Sequence, residues 1–204
     1  MANATTVFWD NGGVILTNGW DRAGRRAVVD KFKLDWEDFA DRHELMLDSF
    51  ETGHATLDQY LHRVIFYRQR TFTPEEVKAF IYNLSQPLPE SFDYFMKLAR
   101  TNRYLMVALN NESREINEYR IRNFQLRDYF EAFLCSCYLG VRKPDEKIYR
   151  MALSLTQRAP EECVFVDDRG LNLEIPRELG MHVVQFKNVA QLREELAFYG
   201  VSAD

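Results

Sequence analysis

The stretch Val7-Phe8-Trp9-Asp10-Asn11-Gly12-Gly13-Val14 decides the fold, because an apolar run stops there at an acid and a pair of glycines. A continuous apolar run is typical of a buried parallel strand with helices on both faces of the sheet. The strand would fix the Asp10 carboxylate, and the glycines would let backbone N–H groups approach an anion. The stretch predicts an anion-handling site at the end of a first strand.

Four more apolar runs and the helical patterns between them predict the rest of the architecture. The five predicted strands are Thr5–Trp9, Tyr104–Leu109, Phe133–Leu139, Val164–Val166 and His182–Phe186. The amphipathic stretches after Asn111 are Glu112–Arg127, Asp145–Thr156, Asn172–Leu179 and Val189–Tyr199. Alternating strands and helices imply right-handed crossovers. We therefore expect an α/β fold with a doubly wound, parallel, five-stranded, Rossmann-like sheet.

The interval between the first two strands has a different pattern, with helix signals and no convincing strand. Asp35 precedes the helical stretch Trp36–Leu47, and Thr56–Gln59 has the sequence of a capping box. Thr73–Glu76 supplies a cap, a first-turn proline and an acid three residues on. Gln86-Pro87-Leu88-Pro89 indicates a stiff return to the sheet. The sequence thus predicts a helical insert after the first strand.

Polar side chains stand where several predicted strands end. Asp10, Asn110 and the pair Asp167-Asp168 follow three of them, and Lys143 follows another. Ligands of doubly wound sheets bind beyond the carboxyl ends of the strands. We therefore expect these residues to meet, although they are far apart in sequence.

In this order and spacing, the segments resemble the four motifs of the haloacid dehalogenase-like hydrolase superfamily over nearly the whole chain. The matching segments are Asp10–Val14, Leu105–Asn111, Gly140–Asp145 and Val164–Arg169. The resemblance implies an α/β core domain of residues 1–16 and 90–204. It also implies that residues 17–89 form a C1-type cap domain, a lid of four or five helices over the catalytic end of the sheet.

The resemblance implies a Mg²⁺-dependent phosphatase of a small phosphorylated metabolite, such as a sugar phosphate. Asp10 would attack phosphorus and form an aspartyl-phosphate. Two like charges about 4 Å apart repel by roughly 4 kcal/mol at an effective dielectric of about 20, so cations are needed. Mg²⁺ would bind Asp10, Asp168 and the backbone carbonyl of Gly12, with Asp167 on a metal-bound water or supporting the ligands. Lys143 would bridge nucleophile and phosphate.

Further residues are expected to bind the substrate. Asn11 and Gly12 belong to the anion-binding turn, and Asn110 replaces the usual Ser or Thr of the family with an amide that can also donate. Either Asn110 or Asn111 could instead cap the helix that opens at Glu112. The expected pocket residues of the cap are Asn18, Trp20, Arg22, Arg25 and Arg26. Trp20 would stack on a sugar or anchor the cap, whereas Arg142 is expected to be exposed.

Position 12 departs from the family pattern. Phosphatases of the superfamily usually carry a second Asp two residues after the nucleophile, as general acid and base, and this chain has Gly12. The proton must then come from another residue, from solvent or from the substrate. The departure predicts low turnover and a preference for good leaving groups such as anomeric phosphates.

Two other functions are considered. The first is a 2-haloacid dehalogenase, but those relatives usually have Tyr at the position of Gly12 and Ser and Asn at the positions of Asp167 and Asp168. The second is a catalytically weak binding or regulatory protein. Gly12 and Asn110 favour it, whereas Asp10, Lys143 and Asp168 favour catalysis.

Composition limits which binding partners and which cellular compartment we expect for this protein. The chain has 204 residues and a net charge of −5, which gives no electrostatic reason to bind nucleic acid or an anionic membrane. Met1–Ala4 lacks the basic start of a signal peptide, and no apolar run is long enough to span a membrane. Cys135, Cys137 and Cys163 are expected to be buried, reduced thiols. We expect a cytoplasmic monomer or homodimer.

Overall fold

The computed structural model describes residues 3–204, so Met1 and Ala2 of the predicted core domain lie outside the described residues. Five parallel strands form one sheet in the order β3-β2-β1-β4-β5. The strands are β1 (Thr6–Trp9), β2 (Leu105–Asn110), β3 (Ala132–Cys135), β4 (Cys163–Asp167) and β5 (His182–Gln185). The helices described within these residues are α1 (Arg22–Lys31), α2 (Trp36–Glu51), α3 (Leu57–Val64), α4 (Pro74–Asn83), α5 (Pro89–Arg100), α6 (Arg114–Asn123), α7 (Ser136–Leu139), α8 (Glu146–Thr156), α9 (Glu174–Glu178) and α10 (Val189–Phe198).

The sheet is buried on both faces, which explains its continuous apolar strands. Val7 and Trp9 join one hydrophobic cluster, and Phe8 joins another with the β4 residue Phe165. Trp9 is level with Ala108 of β2 and Val166 of β4. The carboxyl ends of the three central strands are therefore aligned at one edge. The predicted α/β class and parallel five-stranded sheet are confirmed.

Helices α1–α4 lie between β1 and α5 and have a hydrophobic cluster of their own. In that cluster Phe50 stacks on Tyr60, with ring centroids 4.1 Å apart. Asp35 caps α2, and capping boxes open α3 and α4, as the sequence predicts. Helix α5 packs on the sheet, where the ring centroids of Phe95 and Trp9 are 5.4 Å apart. The insert thus has four helices, and its limits as a cap domain stay a prediction.

The two connections between the insert and the sheet run side by side. The Thr17 N–H donates to the Gln86 carbonyl at 2.8 Å, and the Leu88 N–H donates to the Ile15 carbonyl at 3.0 Å. Arg120 of α6 is buried behind them and donates from Nη2 to the Asn18 carbonyl at 2.7 Å. The start and the end of the insert are therefore fixed to each other and to the core.

Three predicted element boundaries are wrong. The expected strand Phe133–Leu139 stops at Cys135, and Ser136–Leu139 is the short helix α7, which ends at Gly140 with φ 69°. The chain turns there because Ser136 leaves the sheet and donates to the Glu51 carbonyl of the insert at 2.6 Å. The expected helix Glu112–Arg127 ends at Asn123, because Gln125 has φ 52°. The stretch Asn172–Leu179 contains only the five-residue α9, preceded by a 3₁₀ turn.

Among the described residues, none of the helices combines the length and the apolar character that crossing a bilayer requires. Cys135, Cys137 and Cys163 are all buried, as expected from their apolar surroundings.

Candidate active site

Lys143 lies between two carboxylates at the carboxyl edge of the sheet. Its Nζ is 3.3 Å from Asp10 Oδ1, directly after β1, and 2.6 Å from Asp167 Oδ2, at the end of β4. Nζ also donates to the Leu109 carbonyl of β2 at 3.0 Å. Three neighbouring strands thus position one ammonium group, as expected from the strand ends.

Asn111 fixes the backbone of Lys143. The Asn111 amide donates to the Lys143 carbonyl at 2.8 Å, and the Lys143 N–H donates to Asn111 Oδ1 at 2.8 Å. These two bonds join the end of β2 to the loop before α8. Burial alone would lower the pKa of Lys143, but Asp10 and Asp167 raise it above its ordinary value. The side chain is therefore an ammonium ion across the physiological range.

Asp167 has its oxygens occupied by protein donors. Oδ1 accepts the Arg169 N–H at 2.8 Å, Oδ2 accepts from Lys143, and Asn172 Nδ2 lies 3.1 Å from both oxygens. This arrangement favours the predicted supporting role over direct metal ligation. Asn172 was missed in the sequence, where it resembled an ordinary helix residue.

Asp168, in contrast, has a buried oxygen without a partner. One carboxylate oxygen each from Asp10, Asp167 and Asp168 lies within 4.8 Å of the other two, and Asp168 Oδ1 has no hydrogen bond. Hard oxygen ligands in such a group fit Mg²⁺. Burial raises the pKa of Asp10 to about 7, although the positive charge of Lys143 lowers it. A second cation nearby would therefore favour the carboxylate form of Asp10.

Gly13 makes the approach of Asp168 possible. Its φ is 75°, and a Cβ there would lie 2.4 Å from Asp168 Oδ2, so a side chain would meet the carboxylate. Gly12 has no such φ, and its Cβ position is 3.0 Å from Asn18 Oδ1. The two glycines therefore differ in role. Gly13 leaves room for the Asp168 carboxylate, and Gly12 lines the cavity beside Asp10.

Asn11 and Asn110 lie away from the cavity lining. Both side chains are buried, and Asn110 Nδ2 donates to Asn117 Oδ1 at 3.2 Å. The side-chain atoms of Asn11 and the Oδ1 of Asn110 have no hydrogen-bond partner. Their roles in phosphate binding stay predictions, and in this structure the Asn110 amide is directed to α6.

A cavity of about 270 Å³ opens above Asp10, between the sheet edge and the insert. Asn18, Trp20, Arg22 and Arg25 line it. The expectation for Arg26 is wrong, because Arg26 pairs with Asp30 on the outer surface of α1, 3.4 Å away. Trp20 also packs edge-on against Phe39 and Tyr60 of the insert cluster, which accounts for its burial.

The prediction that Arg142 is exposed is wrong. Its Nε is 3.0 Å from Glu51 Oε2 at the end of α2, and both residues line the cavity. His43, which also lies on α2, shares a hydrogen bond of 2.7 Å with the Tyr60 hydroxyl through Nδ1. Burial and the nearby Arg25 and Arg142 lower the pKa of His43 to about 3, so its ring is neutral. No sequence motif marks Glu51 or His43 as cavity residues.

A second buried ion pair lies beside the glycine turn. Glu112 Oε2 is 3.1 Å from Arg120 Nη1, and the two side chains are 6% and 2% exposed. The same Nη1 is 3.8 Å from the position of a Cβ on Gly12. Burial raises the pKa of Glu112 to about 7, although Arg120 opposes the rise. In the sequence, Glu112 indicated only the start of a helix.

The site thus combines the Asp10 carboxylate, a fixed ammonium group and an acid with an unpartnered oxygen, and several arginines line the cavity above them. Comparison with known proteins agrees with it. The model of the haloacid dehalogenase-like hydrolase family matches residues 4–180. D-ribitol-5-phosphate phosphatase of Bacteroides thetaiotaomicron is 26% identical over 199 residues, covering 93% of this chain and 95% of that protein.

Partial and structural relatives add to the comparison. Bifunctional epoxide hydrolase 2 of Sus scrofa is 36% identical over 72 residues, and the match spans only 13% of its length and 35% of this chain. A family enzyme from Bacteroides thetaiotaomicron, solved with magnesium and inorganic phosphate, has a TM-score of 0.74 at 21% identity, covering 90% of this chain and 94% of that one. An L-2-haloacid dehalogenase has a TM-score of 0.63 at 18% identity, with 88% and 83% covered.

Since the family match covers most of its length, this chain belongs to the haloacid dehalogenase-like hydrolase family. The solved structures, at their low identity, show that the fold is shared.

Proposed function

We propose that this haloacid dehalogenase-like hydrolase is a Mg²⁺-dependent phosphatase of a small phosphorylated metabolite, acting through an aspartyl-phosphate on Asp10. One observation carries the proposal. The Lys143 ammonium lies 3.3 Å from the Asp10 carboxylate, and Asp168, which has an unpartnered buried oxygen, belongs to the same group of acids. Such a site neutralises both an anionic nucleophile and an incoming phosphate.

The proposed reaction consists of two displacements at phosphorus. A carboxylate oxygen of Asp10 bonds to phosphorus as the ester P–O bond breaks, and water later cleaves the acyl-phosphate. Lys143 lies where it can contact both the nucleophile and a phosphoryl oxygen. Asp167 and Asn111 hold that lysine through its ammonium group and its backbone.

Asp10, Asp168 and the Gly12 carbonyl would hold Mg²⁺, with Asp167 as support. When bound, the ion supplies positive charge against the repulsion between carboxylate and phosphate. The donor set fits because Asp168 Oδ1 is buried and unpartnered, which is costly unless a cation or water satisfies it. The magnesium reported for the Bacteroides thetaiotaomicron enzyme is in line with this assignment.

The size and charge of the cavity favour a small, polar substrate. About 270 Å³ is below the usual range of roughly 300–1,000 Å³ for drug-sized ligands. Arg22, Arg25 and Arg169 line it together with Lys143, which suits a phosphate ester. The full-length relative acts on a sugar-alcohol phosphate by its name, so we propose sugar and polyol phosphates as the first compounds to test.

The test is phosphate release over a panel of sugar, polyol and small organic acid phosphates, with Mg²⁺ or with EDTA. We expect turnover that EDTA abolishes, and no turnover by Asp10→Asn, because its amide is isosteric but a poor nucleophile. Asp21→Asn is the matched control, since it makes the same change in the same cavity and keeps the N-cap of α1.

Four outcomes would contradict the proposal. Turnover that persists in EDTA would exclude the Mg²⁺ dependence, and chloride release from 2-chloropropionate would support the dehalogenase alternative. An active Asp10→Asn variant would remove Asp10 as nucleophile. Beryllium fluoride is expected to trap an acyl-phosphate mimic on Asp10, and a mimic on another residue would equally exclude it.

A further inference from the structure

The proposed chemistry lacks a proton donor at its usual place. An alkoxide leaving group needs a proton, and Gly12 has no side chain to give one. The carboxylic acids lining the cavity are Asp10, Asp21, Glu51 and Glu112. Asp10 is the nucleophile of the proposed reaction, so the other three are the carboxylic acids of the cavity that could donate the proton.

Position and bonding distinguish the three acids. Asp21 Oδ1 accepts the Gly24 N–H at 2.8 Å as the N-cap of α1, at the insert side of the cavity. Glu51 lies at the end of α2 and pairs with Arg142. Glu112 follows β2 two residues after Asn110, at the same sheet edge as Asp10.

Arg120 links Glu112 to the empty position at Gly12. One guanidinium nitrogen, Nη1, lies 3.1 Å from Glu112 Oε2 and 3.8 Å from where a Cβ on Gly12 would stand. The pair therefore borders the volume that a side chain at position 12 would occupy. Arg120 is itself held by the Asn18 carbonyl at 2.7 Å and by Ser85 Oγ at 3.0 Å, so the pair cannot shift freely.

We propose that Glu112, which lines the cavity and pairs with Arg120 beside Gly12, is the proton donor to the leaving alcohol and the proton acceptor from the attacking water. The proposal rests on the phosphatase function proposed above. It adds a catalytic residue to that function and makes the alkyl phosphates, with their poor leaving groups, the substrate class that depends on it.

The environment of Glu112 suits both directions of transfer. Burial raises its pKa to about 7, with Glu51 adding to the rise and Arg120 opposing it. A general acid or base works best when its pKa is near the operating pH. The Ser113 N–H donates to Oε1 at 2.9 Å, so one backbone donor also orients the carboxyl group.

The two steps consume only the phosphate ester and one water molecule. As the Asp10 oxygen bonds to phosphorus, the ester P–O bond breaks, and its oxygen takes the proton of Glu112 and leaves as the alcohol. The Glu112 carboxylate then takes a proton from water while the water oxygen bonds to phosphorus. The bond from phosphorus to Asp10 breaks, phosphate leaves, and Glu112 is again protonated.

The experiment is a leaving-group series: kcat/KM for alkyl and aryl phosphates of rising leaving-group pKa, in wild type and in Glu112→Gln. We expect a shallow dependence in wild type. In Glu112→Gln we expect kcat/KM for alkyl phosphates to fall about 10²–10⁴-fold, the usual worth of general acid catalysis. For p-nitrophenyl phosphate the fall is expected to be at least tenfold smaller, because that leaving group needs no proton.

Glu51→Gln is the matched control. It changes another cavity glutamate that pairs with an arginine, and we expect all substrates to change by a similar factor. Glu112→Asp, which keeps a carboxyl group, is expected to restore much of the shallow dependence. An equal fall for alkyl and aryl substrates in Glu112→Gln would overturn the proposal and leave Glu112 a structural residue.

A measurement on the unaltered enzyme covers the case in which Glu112→Gln does not fold. The ratio of alkyl to aryl kcat/KM is expected to decline as pH rises through about 7, where Glu112 loses its proton beside Arg120 and Glu51. A ratio independent of pH would overturn the proposal. Absence of any phosphatase activity in wild type would instead refute the proposed function, so the two failures are distinguishable.

Discussion

Two buried groups of charges lie at the same edge of the sheet and differ in their balance. The lysine cluster, defined as Asp10, Lys143, Asp167 and Asp168, has one cation among four charged groups. The arginine pair, Glu112 and Arg120, has one charge of each sign. The lysine cluster thus has an excess of negative charge that a bound cation would correct, whereas the pair has no net charge when Glu112 is ionised.

The surroundings differ as well. Asp168 in the lysine cluster has an unpartnered buried oxygen, whereas Arg120 donates to Glu112, to Ser85 and to the Asn18 carbonyl. Unsatisfied buried charge costs stability, and proteins keep it mainly where function needs it. We therefore expect the lysine cluster to serve mainly function, and the arginine pair to contribute both to stability and to proton transfer.

Arg120→Met is expected to have the largest effect, on stability. It leaves Glu112 as an uncompensated buried acid and frees both connections of the insert, so we expect a loss of about 3–5 kcal/mol in urea unfolding at neutral pH. Arg142→Met, at a half-buried pair with Glu51 in the same cavity, is the control, with a loss of about 1 kcal/mol or less. Equal losses of unfolding free energy in the two variants would show that the arginine pair contributes no more to stability than the Arg142–Glu51 pair.

Lys143→Ala is expected to act on the rate. Without the ammonium group, Asp10 and the phosphate repel each other, so kcat should fall about 10²–10³-fold, or about 3–4 kcal/mol. The Mg²⁺ concentration for half-maximal rate should change much less. Steady-state kinetics under saturating Mg²⁺ measure the effect, and a fall in rate that added Mg²⁺ fully restores would contradict it.

Stability should report the titration of Glu112. Its pKa is raised from the ordinary 4.5 to about 7 in the folded state, so its favourable contribution is full below 4.5 and is lost as pH rises through 7. The free energy of unfolding of Glu112→Gln relative to wild type should therefore rise between about pH 5 and pH 8, by up to about 3 kcal/mol.

Urea unfolding at both pH values measures this difference, and Asp21→Asn is the control. A difference between Glu112→Gln and wild type that stays constant with pH would show that Glu112 does not titrate in this window.

Asp168→Asn is expected to have the smallest effect, on metal affinity. The amide keeps one oxygen but loses the charge, so the Mg²⁺ needed for half-maximal rate should rise about tenfold or more, roughly 1.4 kcal/mol. Asn172→Ala, which removes a donor to Asp167, tests the neighbouring acid as a control and should shift the Mg²⁺ requirement less. An unchanged Mg²⁺ requirement in Asp168→Asn would remove Asp168 from the metal site.

Much of the lysine cluster could be predicted from the sequence because its members follow buried strands. Asp10, Asp167 and Asp168 stand directly after apolar runs, and parallel strands bring such positions to one edge. Local patterns also predicted the caps of α2, α3 and α4. The end of β3 was missed because Cys135–Leu139 is apolar in either conformation, and the contact of Ser136 with the insert decides it.

The sequence by itself determined the parallel α/β sheet, the helical insert and the strand-end acids, since each depends on hydrophobic period and on neighbours a few residues apart. Only the tertiary structure decided that Glu112 and Arg120 form a buried pair beside Gly12. It alone placed Arg142 and Glu51 together in the cavity and turned the Asn110 amide to α6. Those contacts join segments that are distant in the chain or differ in direction, and no local pattern records how such segments pack.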